Sequence, residues 1–522
     1  MIIKIALLLA FVAVVVSVGV VTRKRSADVN GFVLGGRQVG PWLTAFAYGT
    51  SYFSAVIFVG YAGQFGWHFG VAATWAGIGN AIIGSLVAWS VLGRRTRIMT
   101  QHLDARTMPE FLGKRYESSR LAVLASLITF VFLIPYTASL FNGLSRLFEM
   151  AFHVDYAYCV IAMSILTGIY VILGGYMATA VNDFIQGIVM LVGIVAVILA
   201  VLAKNGGLMG SLIKMSQIGS ETQPDYQGVY TSFLGPMPLF LLVVVLLTSL
   251  GTWGLPQMVA KYYAITNEGA VKKGTIISTL FAIIVAGGCY FLGGFGRLFV
   301  TPEQVEAEGF DSIVPTMLSG LPDILIAIVL VLVLSASMST LSSLVLTSSS
   351  TITLDFIEPL SGGEISEAKK MRLLHLFVAF FIIISAVIAI VQAKSRITFI
   401  AQLMGVSWGA LAGAFLAPFL YGLYWKRTTK TACAVSYVWG TGLMIVQLLI
   451  SLGLIAFNGG VLGFIFQNSL YSGVFAMLSS LVIVPVVSIL TQSTAPKETE
   501  DMFSCYDVIV TVHSKTSLED EA

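Results

Sequence analysis

Thirteen long apolar runs, most of about 20 residues, constrain this chain more than any other feature. Such runs are long enough to cross a lipid bilayer. Inside hydrocarbon no water pairs with backbone N–H and C=O groups, so a crossing segment must pair them within itself, as an α-helix does. The runs are Ile2–Val21, Pro41–Gly66, Gly70–Leu92, Ala122–Phe148, Tyr156–Leu173, Ala178–Ala203, Phe233–Ala264, Ile276–Phe295, Ile324–Ser348, Leu373–Val391, Phe399–Tyr424, Ala432–Ala456 and Leu470–Leu490. A composition of 57% hydrophobic and 11% charged residues fits an all-α, multi-pass membrane protein. A net charge of +3 gives no field that would attract nucleic acid. The four cysteines are scattered without metal or redox spacing, and no Ser/His/Asp set or phosphate loop is present. No enzyme chemistry is therefore expected.

Charge orients the runs. With the N-terminus outside, the inner loops hold 20 of the 29 basic residues: Arg23, Lys24, Arg25 and Arg37, then Arg94 to Arg120, then Lys261, Lys272 and Lys273, then Lys369 to Arg372, then Lys426 to Lys430. This bias places the tail from Thr491 on in the cytoplasm. The first run, followed at once by Arg23, Lys24 and Arg25, is read as a retained helix and not a cleaved signal. The tail is read as partly disordered.

Two runs carry helix breakers at mid-depth. "AFAYGTSYFSA" holds Gly49, Thr50 and Ser51, and "TSLGTWGLPQ" holds Gly251, Gly254 and Pro256. Glycine weakens a helix and proline removes a donor. Five runs separate the starts of these two, so they occupy matching places in two five-helix halves, inverted because five is odd. That is the pattern of a transporter built from inverted repeats, with its site at the midplane between discontinuous helices.

The ninth run contains "SASMSTLSS", in which six of nine side chains carry hydroxyls. Ala336, Ser339 and Thr340 share a helix face, and Ser339, Ser342 and Ser343 repeat the spacing one turn on. A stripe of neutral oxygens suits an alkali cation, with carbonyls of the unwound Thr50–Phe53 segment completing the shell. Asp183, in "GGYMATAVNDFIQ", is the one deep carboxylate and would serve a second cation with Ser339, Ser342 and Ser343. No Lys or Arg is expected at membrane depth beside these groups. Candidate solute-lining residues are Tyr52, Phe53, Ile57, Asn80, Tyr136, Asn142, Thr248, Thr252, Trp253 and Gln402.

The stretches "LGGRQVGPWLTAFAYGTSYFSA", "RTMPEFLGKRYES", "GGYMATAVNDFIQ", "GLPQMVAKYYA", "SASMSTLSSLVLTSSSTITLDF" and "GALAGAFLAPFLYGLYWKRTTK" resemble, in this order, the sodium:solute symporters. The resemblance implies a LeuT-type core of ten helices, one helix before it and two after it. On this chain the parts are residues 1–40 (extra helix and inner loop), 41–203 (first repeat), 204–232 (outer loop), 233–424 (second repeat), 425–491 (two further helices) and 492–522 (tail). It implies a main sodium site on the backbone of Thr50, Phe53 and Ala336 and the side chains of Ser339 and Thr340. A second site falls on Asp183, Ser339, Ser342 and Ser343, so one or two sodium ions are expected.

Where proline-type members carry an Asp in the first broken helix this chain has Tyr52, and their Trp and Tyr fall on Thr248 and Thr252, which sets proline in doubt. The expected activity is import of a small neutral, zwitterionic or monocarboxylate solute across the plasma membrane, driven by sodium. Proton coupling on the same fold, or a solute sensor that does not transport, are the alternatives.

Overall fold

The computed structural model describes residues 2–152, 154–220, 227–362, 365–395, 400–457 and 459–507. Among these the chain is helical throughout, with one isolated backbone bridge between Val39 and Ile265. Ten helical stretches are long and apolar enough to cross a membrane, or eleven with the bent pair Pro238–Gly254 and Pro256–Ala264. Two of them are of double length, Val56–His102 and Tyr156–Ala203. Each is interrupted by a glycine in a conformation that L side chains avoid, Gly70 (φ 62°, ψ −142°) and Gly175 (φ 50°, ψ −144°). Both breaks fall where the sequence reading divides two runs. A count of thirteen treats each side of these breaks as a separate span.

The hydroxyl-rich helix Asp323–Thr351 is the axis of the molecule, and nearly all of it from Ile326 onward is buried. It packs against Tyr156–Ala203, against the helix Ser119–Phe152 and against the first broken helix. The N-terminal helix Ile2–Thr22 lies on the same group. Lys4 pairs with Asp323 at 3.0 Å, and Asn182 donates to the Val15 carbonyl at 3.4 Å. At the far end of the axis, Thr107 of the loop before Met108–Arg115 donates to the Asp355 carboxylate. A helix of 29 residues rises about 43 Å. Lys4 and the Arg106–Thr107 loop therefore lie on opposite faces of the bundle.

The tail is not loose over its first part. The short helix Thr499–Ser504 sits on the face that carries Arg95 and Arg115. The Glu498 amide donates to Glu117 at 2.7 Å, Lys426 pairs with Glu500, and the Arg115 guanidinium lies 5.1 Å from the Phe503 ring centre. The expectation of a partly disordered tail did not include this docking, whose partners Arg115, Glu117 and Lys426 lie far from the tail in sequence. Residues beyond 507 lie outside the described part.

Candidate ion and solute site

The first broken helix begins at Pro41, whose fixed φ suits a first turn, and ends at Tyr52. Phe53 caps it in an extended conformation (φ −102°, ψ 96°), and helical pairing resumes at Val56. The break thus falls four residues past Gly49, which stays helical. Gly49 is instead a contact glycine: a Cβ there would lie 2.5 Å from the Phe281 ring. A helix end leaves its last carbonyls without intrahelical partners. Here side chains of the hydroxyl helix meet them. Ser339 Oγ donates to the Thr50 carbonyl at 3.1 Å and Thr340 Oγ1 donates to it at 3.2 Å. The same two hydroxyls reach the Ala336 carbonyl at 3.2 and 3.1 Å. Four uncharged oxygens from two helices therefore converge, with Phe53 at the adjoining cap. The Thr50 hydroxyl is turned back to the Phe46 carbonyl at 2.8 Å, so Thr50 offers this cluster its backbone only. Hydroxyls that donate to carbonyls can turn and present lone pairs to a hard cation, and the donor set fits sodium.

The second break has the same construction. Gly251–Gly254 is a single tight turn, Leu255 is extended (φ −88°, ψ 118°), and a new helix starts at Pro256 with a bend of 50°. This helix brings up a residue the sequence reading had put in an inner loop. Lys261 is buried, its ammonium donating to Ser343 Oγ at 2.9 Å and lying 3.9 Å from Asp183 Oδ2. The expectation of no deep Lys or Arg is corrected here. A helix that begins at mid-depth rises only about 7 Å in five residues, which keeps Lys261 within the hydrocarbon half-thickness of about 15 Å. Ser343 also pairs with Ser51 at 2.7 Å, and Ser342 Oγ donates to its own helix at the Ser339 carbonyl at 2.9 Å. Neither Asp183 oxygen has a hydrogen-bond partner among the described residues.

The solute candidates divide. Tyr52 stacks on Phe53 at 4.4 Å, donates to the Thr248 carbonyl, and lies 6.3 Å from the Trp408 ring. The Asn80 amide meets Thr248 Oγ1 at 2.9 Å and Ser249 Oγ at 3.0 Å. Tyr136 packs edge-on to Trp408 at 5.8 Å. Trp253 Nε1 donates to the Ile83 carbonyl at 3.1 Å, and Thr252 donates to the Ser249 carbonyl at 2.8 Å. Ile57 is buried just past the first break. Asn142 is elsewhere, held by the Tyr156 hydroxyl at the start of the next helix. Gln402 is half-buried and makes no hydrogen bond to this group among the described residues.

Reading the sequence placed Ser51 in the first break without giving its side chain a partner, and it missed Ser249, Trp408, Tyr290 and Lys261. Ser249, Trp408 and Tyr290 lack a local pattern, and only the fold brings them in. Among the described residues, the Tyr61, Tyr136 and Tyr290 hydroxyls and Trp408 Nε1 are buried and make no hydrogen bond of normal geometry.

The sequence pattern of the sodium:solute symporter family matches residues 32–440. The sodium/proline symporter 2 of Staphylococcus saprophyticus is 28% identical over 431 residues, covering 81% of this chain and 81% of that protein. The sodium/proline symporter of Staphylococcus aureus is 27% identical over 492 residues, covering 93% and 92%. A solved sodium-coupled sialic acid symporter in a substrate-bound, outward-open state superposes with a TM-score of 0.73 at 17% identity, over 95% of this chain and 99% of that one. A nucleobase-cation-symport-1 family transporter in a closed conformation superposes with a TM-score of 0.51 at 14% identity, over 90% and 97%. The fold is the LeuT type. With two broken helices facing a hydroxyl helix, and a family pattern that spans most of its length, the chain belongs to the sodium:solute symporter family.

Proposed function

We propose that this protein imports a small neutral, zwitterionic or monocarboxylate solute together with sodium. The reading rests on one observation above all: the Ser339 and Thr340 hydroxyls converge on the Thr50 carbonyl left free by the first helix break. Sodium at this point would take the Thr50, Phe53 and Ala336 carbonyls and the two hydroxyls as ligands. It would tie the half-helix Pro41–Tyr52 to the axis Asp323–Thr351 and so fix Tyr52 and Phe53, which line the solute pocket. Ion and solute then strengthen each other's binding by the same factor.

Tyr52, Phe53, Ile57, Asn80, Tyr136, Thr248, Thr252 and Trp253 form that pocket, joined by Trp408 and Ser249; Asn142 and Gln402 are left out of it. The lining is aromatic with a few neutral polar groups. A carboxylate on the solute would rely on sodium and on the start of the helix at Pro256. Proline, which names the Staphylococcus relatives, belongs to this solute class. Tyr52 in place of their type's Asp gives the pocket a different wall.

The protein would sit in the plasma membrane with its N-terminus outside and the tail inside. Rocking of the bundle opens the site inward. Each sodium carried adds about 2.3 kcal/mol per 100 mV of membrane potential to the driving force.

A thermal-shift screen of purified protein over amino acids (L-proline included), short monocarboxylates, vitamins and sugars tests this. A member of the expected class raises Tm by several degrees in sodium and by much less in potassium. An equal rise in both salts contradicts sodium-linked binding.

A further inference from the structure

The Asp183 cluster is where a second sodium is expected, and the Lys261 ammonium already stands in it, beside Asp183 and bonded to Ser343. Ser339 Oγ serves the Thr50 and Ala336 carbonyls. Ser342 Oγ is bonded within its own helix. Ser343 Oγ accepts from the Lys261 ammonium at 2.9 Å and pairs with Ser51. Asp183, fully buried, has that same ammonium 3.9 Å from Oδ2 as its facing charge. The ammonium also lies over the Tyr176 ring, 5.3 Å from its centre, where the ring face favours a cation.

We infer that the Lys261 ammonium is the resident cation of the second site, so that a single sodium ion accompanies each solute. This rests on the sodium reading of the main site given above. The physical grounds are three. A buried carboxylate is tolerated only with a compensating charge, and Lys261 supplies one from within the chain. An ammonium is a compact point charge with three donors, so it can take the place of an alkali ion among a carboxylate and hydroxyls. A sodium ion added about 4 Å from that ammonium meets a repulsion that weakens its binding by about a thousandfold.

A small cavity of about 20 Å³ lies between Arg106, Thr107 and Met108 and the group Gln257, Lys261 and Ser343. Through Ser343 and Ser51 the ammonium is two hydrogen bonds from the residue next to Thr50. The tethered charge thus holds the Pro256 helix, the axis helix and the first broken helix together while sodium comes and goes at the main site.

Equilibrium binding of radioactive ²²Na⁺ to the purified full-length protein, in potassium buffer without solute, tests the count. The wild type is expected to bind one sodium per chain with a Hill coefficient of one. Lys261→Ala frees Asp183 and Ser343 and is expected to bind two, and Lys261→Ala with Asp183→Asn to return to one. Lys261→Arg keeps the charge and stays at one. Two ions on the wild type overturn the inference, as does a folded Lys261→Ala that still binds one. The wild-type count does not depend on any variant folding. Wild-type protein that binds no sodium at all fails the parent reading of the main site instead.

Discussion

Replacing Ser339 and Thr340 together by alanine is expected to raise the sodium concentration for half-saturation at least about a hundredfold and to abolish sodium-driven uptake. Both side chains stand within 3.2 Å of the Thr50 carbonyl and of the Ala336 carbonyl, where the first broken helix meets the axis helix. A hydrogen-bonding partner of a charged group contributes about 1.5–3 kcal/mol, so losing two costs about 3–6 kcal/mol of ion binding. At about 1.4 kcal/mol per factor of ten, that is a hundredfold or more. The loss falls on the ion, so Tm in saturating sodium drops much further than Tm in potassium. Sodium titrations of ²²Na⁺ binding or of Tm give the number. Unchanged half-saturation in the double variant would place the ion elsewhere.

The second large effect concerns the buried pair. In potassium, Asp183→Asn or Lys261→Met alone is expected to destabilise the protein by about 3–5 kcal/mol, because each leaves the other charge buried without its counter-charge. The double variant, neutral on both sides, is expected to recover most of that loss. The pair is close enough at 3.9 Å that the two changes are far from additive. Denaturation midpoints of the four proteins close the cycle. Strictly additive losses would show that the two groups do not compensate each other, and that Asp183 is balanced by something other than Lys261.

How much of this was legible in the sequence follows from what each residue needs. The second break announces itself locally, since Pro256 lacks the donor to continue a helix and Gly251 and Gly254 weaken one. The hydroxyl stripe at Ser339 and Thr340 follows from helical spacing alone, and the same spacing sets Ser342 and Ser343 one turn on. The break point itself shifted from Gly49 to Phe53. Gly49 is small because Phe281 packs on it, which only the tertiary structure reveals. Lys261 was misplaced because a charge near the end of an apolar run looks like a loop residue. The remedy was present in the sequence, since a helix that restarts at Pro256 cannot leave the bilayer within five residues. Asn142 looked like a lining residue from its depth in an apolar run, yet it is tied to Tyr156. Trp408 and Ser249 carry no motif and become visible only when Tyr52, Asn80 and Tyr136 are seen around them.

The central claim, that sodium at the Thr50–Thr340 cluster drives solute import, is tested most directly in proteoliposomes loaded with potassium buffer. The solute picked out by the thermal-shift screen is supplied outside, in sodium or in choline, at fixed and equal pH. The account predicts concentrative uptake in sodium, steeper with an inside-negative potential, and none in choline, with Ser339→Ala/Thr340→Ala flat in both. Uptake that persists in choline and follows an imposed proton gradient instead would contradict it.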